Sequence, residues 1–432
     1  MRTRRRRRAM RRASRAAGVA LVWLGLAPLS GCGNLGVAAA PDAPLWLHHP
    51  GGALGVTMRR ELTAETRKVG EAYERGRPEI DVAHRRVFVG SSDHGLYALR
   101  ADTSDVLWRF ETLGPVQCEP LYDAASDTVY FGSDDGALYK VRASDGALLY
   151  RFMTNARVAR RPVLRDGVLY VTNSNDTLIA LDAATGAMRW HQHRTPAGGM
   201  EISGHAGPAL GRDKVYTAFS DGVVMAYDLK DGSEQWALVD LAAEAEQSAG
   251  GQTPKYLDTD TTPVLGKIAS GDVVFVAGYA GGVFALDAEN GTRAWMNEAA
   301  VGVTELLLWE QPAHQPRSGG GPIVPAKKVL LASSGMTGLW ALDPEDGRTI
   351  WRRDLPDGGI SAPVPFSGAL LVTTTRYGIF LFSPLDGAVI DGIETGGGIA
   401  MTPAAYGRRA FVLTNGGSLL SLDVETPPVP KG

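Results

Sequence analysis

Between residues 162 and 190 the chain alternates short apolar runs with turn residues. The order is PVL, a turn at Arg165-Asp166-Gly167, VLYVTNS, a turn at Asn175-Asp176, TLIALDA, a turn at Ala184-Thr185-Gly186, then AMRW. Short apolar or alternating runs closed by Asp-Gly, Asn-Asp or Thr-Gly pairs predict a four-stranded antiparallel meander. Nothing in the unit has helical period.

The unit recurs along the chain. Its opening proline falls at Pro78, Pro120, Pro162, Pro208, Pro263, Pro322, Pro363 and Pro403, at intervals of 40 to 59 residues. The third strands align so that Leu99, Val141, Leu181, Tyr227, Leu286, Leu342, Phe382 and Leu422 share one register. Aromatic residues close the fourth strand at Trp108, Tyr150, Trp190, Trp236, Trp295 and Trp351, whereas the seventh unit has Asp391. Such a repeat predicts an all-β fold, a single eight-bladed β-propeller over residues 45–423, with the aromatics packing blade on blade. The eighth unit lacks a fourth strand, so ring closure is expected to borrow one from near Trp46 or from Val56 to Leu62, hiding an open edge.

Spacing also varies in an informative way. The gap from the fourth-strand aromatic to the next proline is 12 residues after Trp108, Tyr150 and Trp351, but 18 after Trp190 and 27 after Trp236 and Trp295. The extra residues, including AAEAEQSAGGQ and LLLWEQPAHQP, are expected to build one sector over blades 3 to 6, with Trp309 as an apolar anchor. Glycine fits the same picture, since 53 of 432 residues against about 7% in ordinary proteins supplies many tight turns.

The N-terminus is different in kind. Nine arginines precede Ala16 with no acid among them, and the uncharged run 16–28 that follows is too short to span a bilayer comfortably. This is expected to be an export signal over residues 1–31. A tether over 32–44 follows it, and a Pro-rich tail over 424–432 ends the chain. Without the nine arginines, 35 of the 44 basic residues face 47 acids, a net charge of −12. A surface of that sign disfavours nucleic acid and anionic lipid.

Candidate chemistry is sparse. If Cys32 at the signal border is acylated, Cys118 is the only thiol left, which excludes an intramolecular disulfide or a multi-cysteine metal site. Cys118 itself reads as a half-buried small apolar residue. His48-His49 and His191-x-His193 read as solvated edges, Gly31-Cys32-Gly33-Asn34-Leu35-Gly36 has no strand before it, and Asp135, Asp166 and Asp221 read as turn formers. No metal and no cofactor are expected. Asp258 and Asp260 leave three readings open: capping of a blade opening with Thr261 and Thr262, an incomplete Asp-x-Asp calcium loop that lacks the glycine and third acid of an EF-hand, or partner binding at an exposed turn.

The repeated G-x-L-x-A-L-D-A-x-T-G-x-x-x-W pattern resembles the PQQ-like propeller repeat over roughly residues 78–423. The Leu29-Ser30-Gly31-Cys32 sequence is similar to a bacterial lipobox, which implies lipidation of Cys32. Lipobox, length and repeat number together resemble the BamB family, lipoproteins of the outer-membrane β-barrel assembly machinery. That resemblance implies a non-enzymatic, lipid-anchored scaffold of the outer membrane that faces the periplasm, assists folding and insertion of β-barrel proteins, and binds a BamA-like partner. It places the contact on the Asp258-Thr259-Asp260-Thr261-Thr262-Pro263 segment, matching the family's D-x-D-T-T-P, and on the apolar positions Met200 and Ile202. Ser203 stands where the family has arginine. Two alternatives are a PQQ-like propeller of another envelope complex and a small PQQ-dependent dehydrogenase. The family of such dehydrogenases uses an adjacent cysteine pair that this sequence lacks.

Overall fold

A computed structural model describes residues 52–62, 74–196, 205–248, 250, 256, 258–314, 323–354 and 358–424. The signal segment, the tether, Met200, Ile202 and the Pro-rich tail lie outside the described residues.

Eight four-stranded antiparallel sheets follow one another as blades 1 to 8. Blade 3 shows how sequence makes a blade. Its strands are Val163–Arg165, Val168–Asn173, Thr177–Asp182 and Met188–His193, hydrogen-bonded in chain order. The second strand, VLYVTN, is buried at every position, and the outer strand, MRWHQH, is mostly exposed. A strand covered on both faces needs an apolar run rather than alternation. The covering comes from the neighbouring blades: eight buried apolar clusters occupy the eight interfaces between blades. One of them joins Val87 and Leu99 of blade 1 to Phe411 and Leu413 of blade 8, so the ring is closed.

The aromatics predicted on the fourth strands lock six interfaces from the outside, although Trp236 lies just ahead of its strand, Val239–Asp240. Indole Nε1 of Trp108, Trp190, Trp236, Trp295 and Trp351 donates to a backbone carbonyl of the next blade, at Ala143, Leu229, Ala288, Pro344 and Pro384 respectively. Beneath each ring lies the glycine of that blade's last turn. At Gly347, with φ at +74°, an added Cβ would stand 2.4 Å from Trp295. Both the left-handed backbone and the stacked ring therefore demand glycine there.

Closure uses the second of the two expected segments. Strand Leu54–Glu61 pairs with Ser418–Val424, placing Leu54 opposite Val424 and Glu61 opposite Ser418. Asp391, the residue that breaks the aromatic series, sits at this joint. Its Oδ2 accepts hydrogen bonds from the backbone N–H groups of Ala53 at 2.6 Å and Leu54 at 2.7 Å, all buried. The seventh blade needs no aromatic because it meets the start of the closing strand, whose bare N–H groups need an acceptor.

Two expectations about the long loops are corrected. Blade 6 opens with strand Val303–Gln311, ahead of Pro322, so LLLWEQ is an inner strand and not a loop. The additional residues lie between this strand and Lys327–Ser334, where His314 bridges Val324, at the opposite end of the blade from the blade-to-blade connections. Trp309 is 6% exposed and packs with Val329, Leu331, Phe380 and Phe382. It is core, not an anchor. Long connections therefore join blades 3 to 4 and 4 to 5 alone. The second of these contains a helix the sequence reading did not anticipate, Leu241–Ser248, with Leu241 and Ala245 buried and Asp240 Oδ1 accepting from the Ala243 N–H as its cap.

Candidate functional site

The residues just ahead of the blade-opening prolines line the central channel. Arg77 precedes Pro78, Glu119 precedes Pro120, and Arg160-Arg161 precede Pro162. Arg161 pairs with Glu79 at 2.7 Å and Glu119 at 2.6 Å, joining blade 3 to blades 1 and 2. Glu305, on the inner strand of blade 6, accepts from Arg77 of blade 1 and from Arg160 of blade 3, the latter at 2.7 Å. Arg160 also donates to the backbone carbonyls of His205 and, at 2.8 Å, Asp260. These pairs cross the channel rather than run round it. Burial would raise the Glu305 carboxyl, but the two guanidinium groups outweigh it and hold the group down to about 2.

Around this plug lies a cavity of about 200 Å³ whose walls include Arg157, His205, Asp260, Glu305 and Thr402. Asp258 and Asp260 are each 3% exposed, which corrects the expectation of a solvent-exposed turn. The threonines beside them do the local capping. Thr261 Oγ1 donates to the Ala277 carbonyl and accepts from its N–H, and Thr262 Oγ1 accepts from the Gly207 N–H. Cys118, fully buried where the sequence predicts half-burial, uses the same device, its Sγ exchanging hydrogen bonds with the Gly132 backbone at 3.0 and 3.1 Å. Burial pushes that thiol up to about 12, so it is inert as a nucleophile.

Asp260 is pushed up to about 7, chiefly by burial, with Asp258, Glu305 and Asp176 adding to it and Arg160 opposing. A carboxyl raised on folding stabilises the protein below the unfolded value of about 4, and that contribution is lost as pH climbs through about 7. Asp260→Asn should therefore match the parent below about pH 4 and exceed it by a margin that widens up to about pH 7, reaching roughly 4 kcal/mol at pH 8, read as urea midpoints. An unchanged difference across this range would show that Asp260 is ionised throughout.

Other titratable clusters are structural. Asp81, His84 and Asp127 approach metal-site geometry, but Arg86 bonds Asp81 at 2.7 Å and also Asp127, filling the place of a cation. His191 and His193 lie exposed on an outer strand. Asp135 and Asp221 accept from the Ala137 and Val223 N–H groups inside their turns, as expected of turn formers.

Comparison with known proteins places this architecture. The sequence profile described as "Outer membrane protein assembly factor BamB" matches residues 121–308 and 300–427. A BamB of Legionella pneumophila (strain Paris) is 25% identical over 233 residues, 54% of this chain and 53% of the relative. The dehydrogenase subunit of a quinone alcohol dehydrogenase from Gluconacetobacter polyoxogenes is 26% identical over 235 residues, 44% of this chain and 32% of that protein. The chain thus spans about half of the first relative and a third of the second. The crystal structure of BamB from Moraxella catarrhalis superposes with a TM-score of 0.67 at 17% identity, covering 86% of this chain and 99% of that one. With the profile matched over most of the propeller, the chain belongs to the BamB family of PQQ-repeat propellers.

Proposed function

We propose that this chain is a non-enzymatic scaffold of the cell envelope, anchored in the outer membrane through lipid on Cys32, that assists β-barrel assembly by holding a BamA-like partner. The observation that carries the reading is the BamB profile match across blades 2 to 8. Geometry supports it in two ways. The ring is closed by the pairing of Leu54–Glu61 with Ser418–Val424, capped by Asp391, and braced across its channel by the Glu305 pairs. Asp258 and Asp260 close the long connection from blade 4 to blade 5, so these buried carboxyls would shape that docking loop from below. Such a surface suits binding, where a few apolar anchors carry most of the energy.

A quinoprotein reading has one observation on its side. Asp260 is a buried carboxyl near 7 beside arginines, a profile that catalytic bases share. Against it, the residues do not fit the cofactor's usual cradle: the sequence has only Cys32 and Cys118 in place of an adjacent pair, and Glu305 is already bound by two guanidinium groups. A photo-crosslinker at Ile202 should capture a BamA-like protein in cells, while one at Leu149 on the outer rim of blade 2 should not. Equal capture at both sites, or none, rejects the docking face. Dye-linked alcohol oxidation by the purified protein with PQQ and calcium would favour the enzyme.

A further inference from the structure

We propose that the cavity in the central channel is a binding site for a small oxyanion, a carboxylate or a phosphate, gripped by Arg157 and Thr402 beside Asp260. The cavity's walls carry more positive charge than the protein neutralises. Arg77 and Arg160 share Glu305, and Arg77 reaches Glu119 at 3.7 Å. Arg157 makes no ion pair among the described residues, and its Nε is buried with no hydrogen-bond partner. Burial raises the Asp134 carboxyl and the charges of Arg157 and Arg75 pull it down, yet Asp134 Oδ1 is buried with no hydrogen-bond partner, so Arg157 makes no direct bond to it there.

Two more groups in the same wall are left open. Asp260 Oδ2 and Thr402 Oγ1 are buried without partners, and Asp260 is 3% exposed. A buried polar group left unmade costs about 1 to 3 kcal/mol, so three of them lining one cavity point to a guest with several acceptor oxygens. The guanidinium and the hydroxyl would donate to it. Asp260, which holds a proton up to about pH 7, would donate a third bond and relieve its own burial.

The local potential agrees. His205 is pushed down to about 4, first by burial and then by the charges of Arg157 and Arg160, whereas burial and then Asp258, Glu305 and Asp176 push Asp260 up, so the side of the cavity that favours an anion is the one Arg157 lines. Size sets the class of guest. A space of about 200 Å³ falls below the roughly 300 to 1,000 Å³ of clefts for drug-sized ligands, and exceeds what one water needs.

The test uses the purified full protein at constant ionic strength, titrated separately with inorganic phosphate and with citrate. The expected result is a saturable rise in melting temperature with one of the two, and which one responds separates phosphate from carboxylate recognition. Arg157→Gln should weaken that binding at least tenfold, Thr402→Val should weaken it less, and Arg212→Gln, on an exposed turn of blade 4, should leave it unchanged. Asp260→Asn retains a donor and should still bind. The proposal is overturned if neither anion gives a saturable shift, or if Arg157→Gln and the parent respond alike. Because the readout is anion binding, failure here leaves the BamA-like docking proposal standing, and failure of that proposal leaves this one standing.

Discussion

Replacing Asp391 with Ala should open the ring at its seam. The carboxylate accepts from two consecutive buried N–H groups, those of Ala53 and Leu54, at 2.6 and 2.7 Å. Hydrogen bonds to a charged acceptor contribute about 1.5 to 3 kcal/mol each, and the variant leaves both donors buried and unmet, so a loss of about 4 kcal/mol is expected. The effect should also be local. Strand Leu54–Glu61 is held to the ring by its pairing with Ser418–Val424 and by this cap at its start. Hydrogen exchange across residues 54–61 should accelerate well before the rest of the propeller responds, as expected when a segment opens sub-globally. Asp391→Asn, with one acceptor oxygen left, should lose about half as much. Exchange in the closing strand that stays at parental rates in Asp391→Ala would show that pairing alone holds the seam.

Asp391 also illustrates what is legible in a repeat. Six units carry an aromatic at that place and one does not, and the exception marks the joint, because only there does the next blade lack a last turn for the ring to cover. The proline count gave the number of blades for a similar reason, each proline fixing the backbone where an inner strand begins. The count misled at blade 6. Pro322 follows that blade's inner strand, and Val303–Gln311 was hidden by the proline even though its apolar positions Leu306, Leu307 and Leu308 read as strand.

The channel was hard to foresee for a different reason. The Asp260 carbonyl and the Glu305 carboxylate both accept from Arg160, which lies 100 and 145 residues away in sequence. No local pattern reports such partners. A signal existed nonetheless: Arg77, Glu119 and Arg161 each stand immediately before a blade-opening proline, with alternating sign, and charge at the start of an inner strand must face the channel. The helix Leu241–Ser248 was signalled by Asp240 ahead of LAAEAEQS, an N-cap followed by good helix formers.

Glu305→Gln should be among the most damaging single changes in the molecule. It leaves Arg77 and Arg160 buried around a neutral amide, with Arg77 reduced to the longer contact to Glu119 at 3.7 Å. Breaking one side of a buried ion pair costs about 3 to 5 kcal/mol, mostly through the charge left behind. The pH dependence follows from the depressed carboxyl. Its contribution is full above the unfolded value of about 4.3 and is lost as pH falls toward about 2. The gap between parent and variant should therefore be wide at pH 7 and narrow steadily below pH 4, read from urea midpoints. A constant gap would assign the loss to packing. The companion variant tests what the triad is for. Replacing Arg77, Arg160 and Glu305 together with methionine or leucine removes the two charges that the single change leaves behind, and such swaps of buried ion clusters are often neutral or stabilising. If stability returns but Ile202 crosslinking to the partner does not, the pairs spanning blades 1, 3 and 6 serve to position the His205 and Asp260 backbones, both of which Arg160 holds, and the plug is a device for shape rather than for strength.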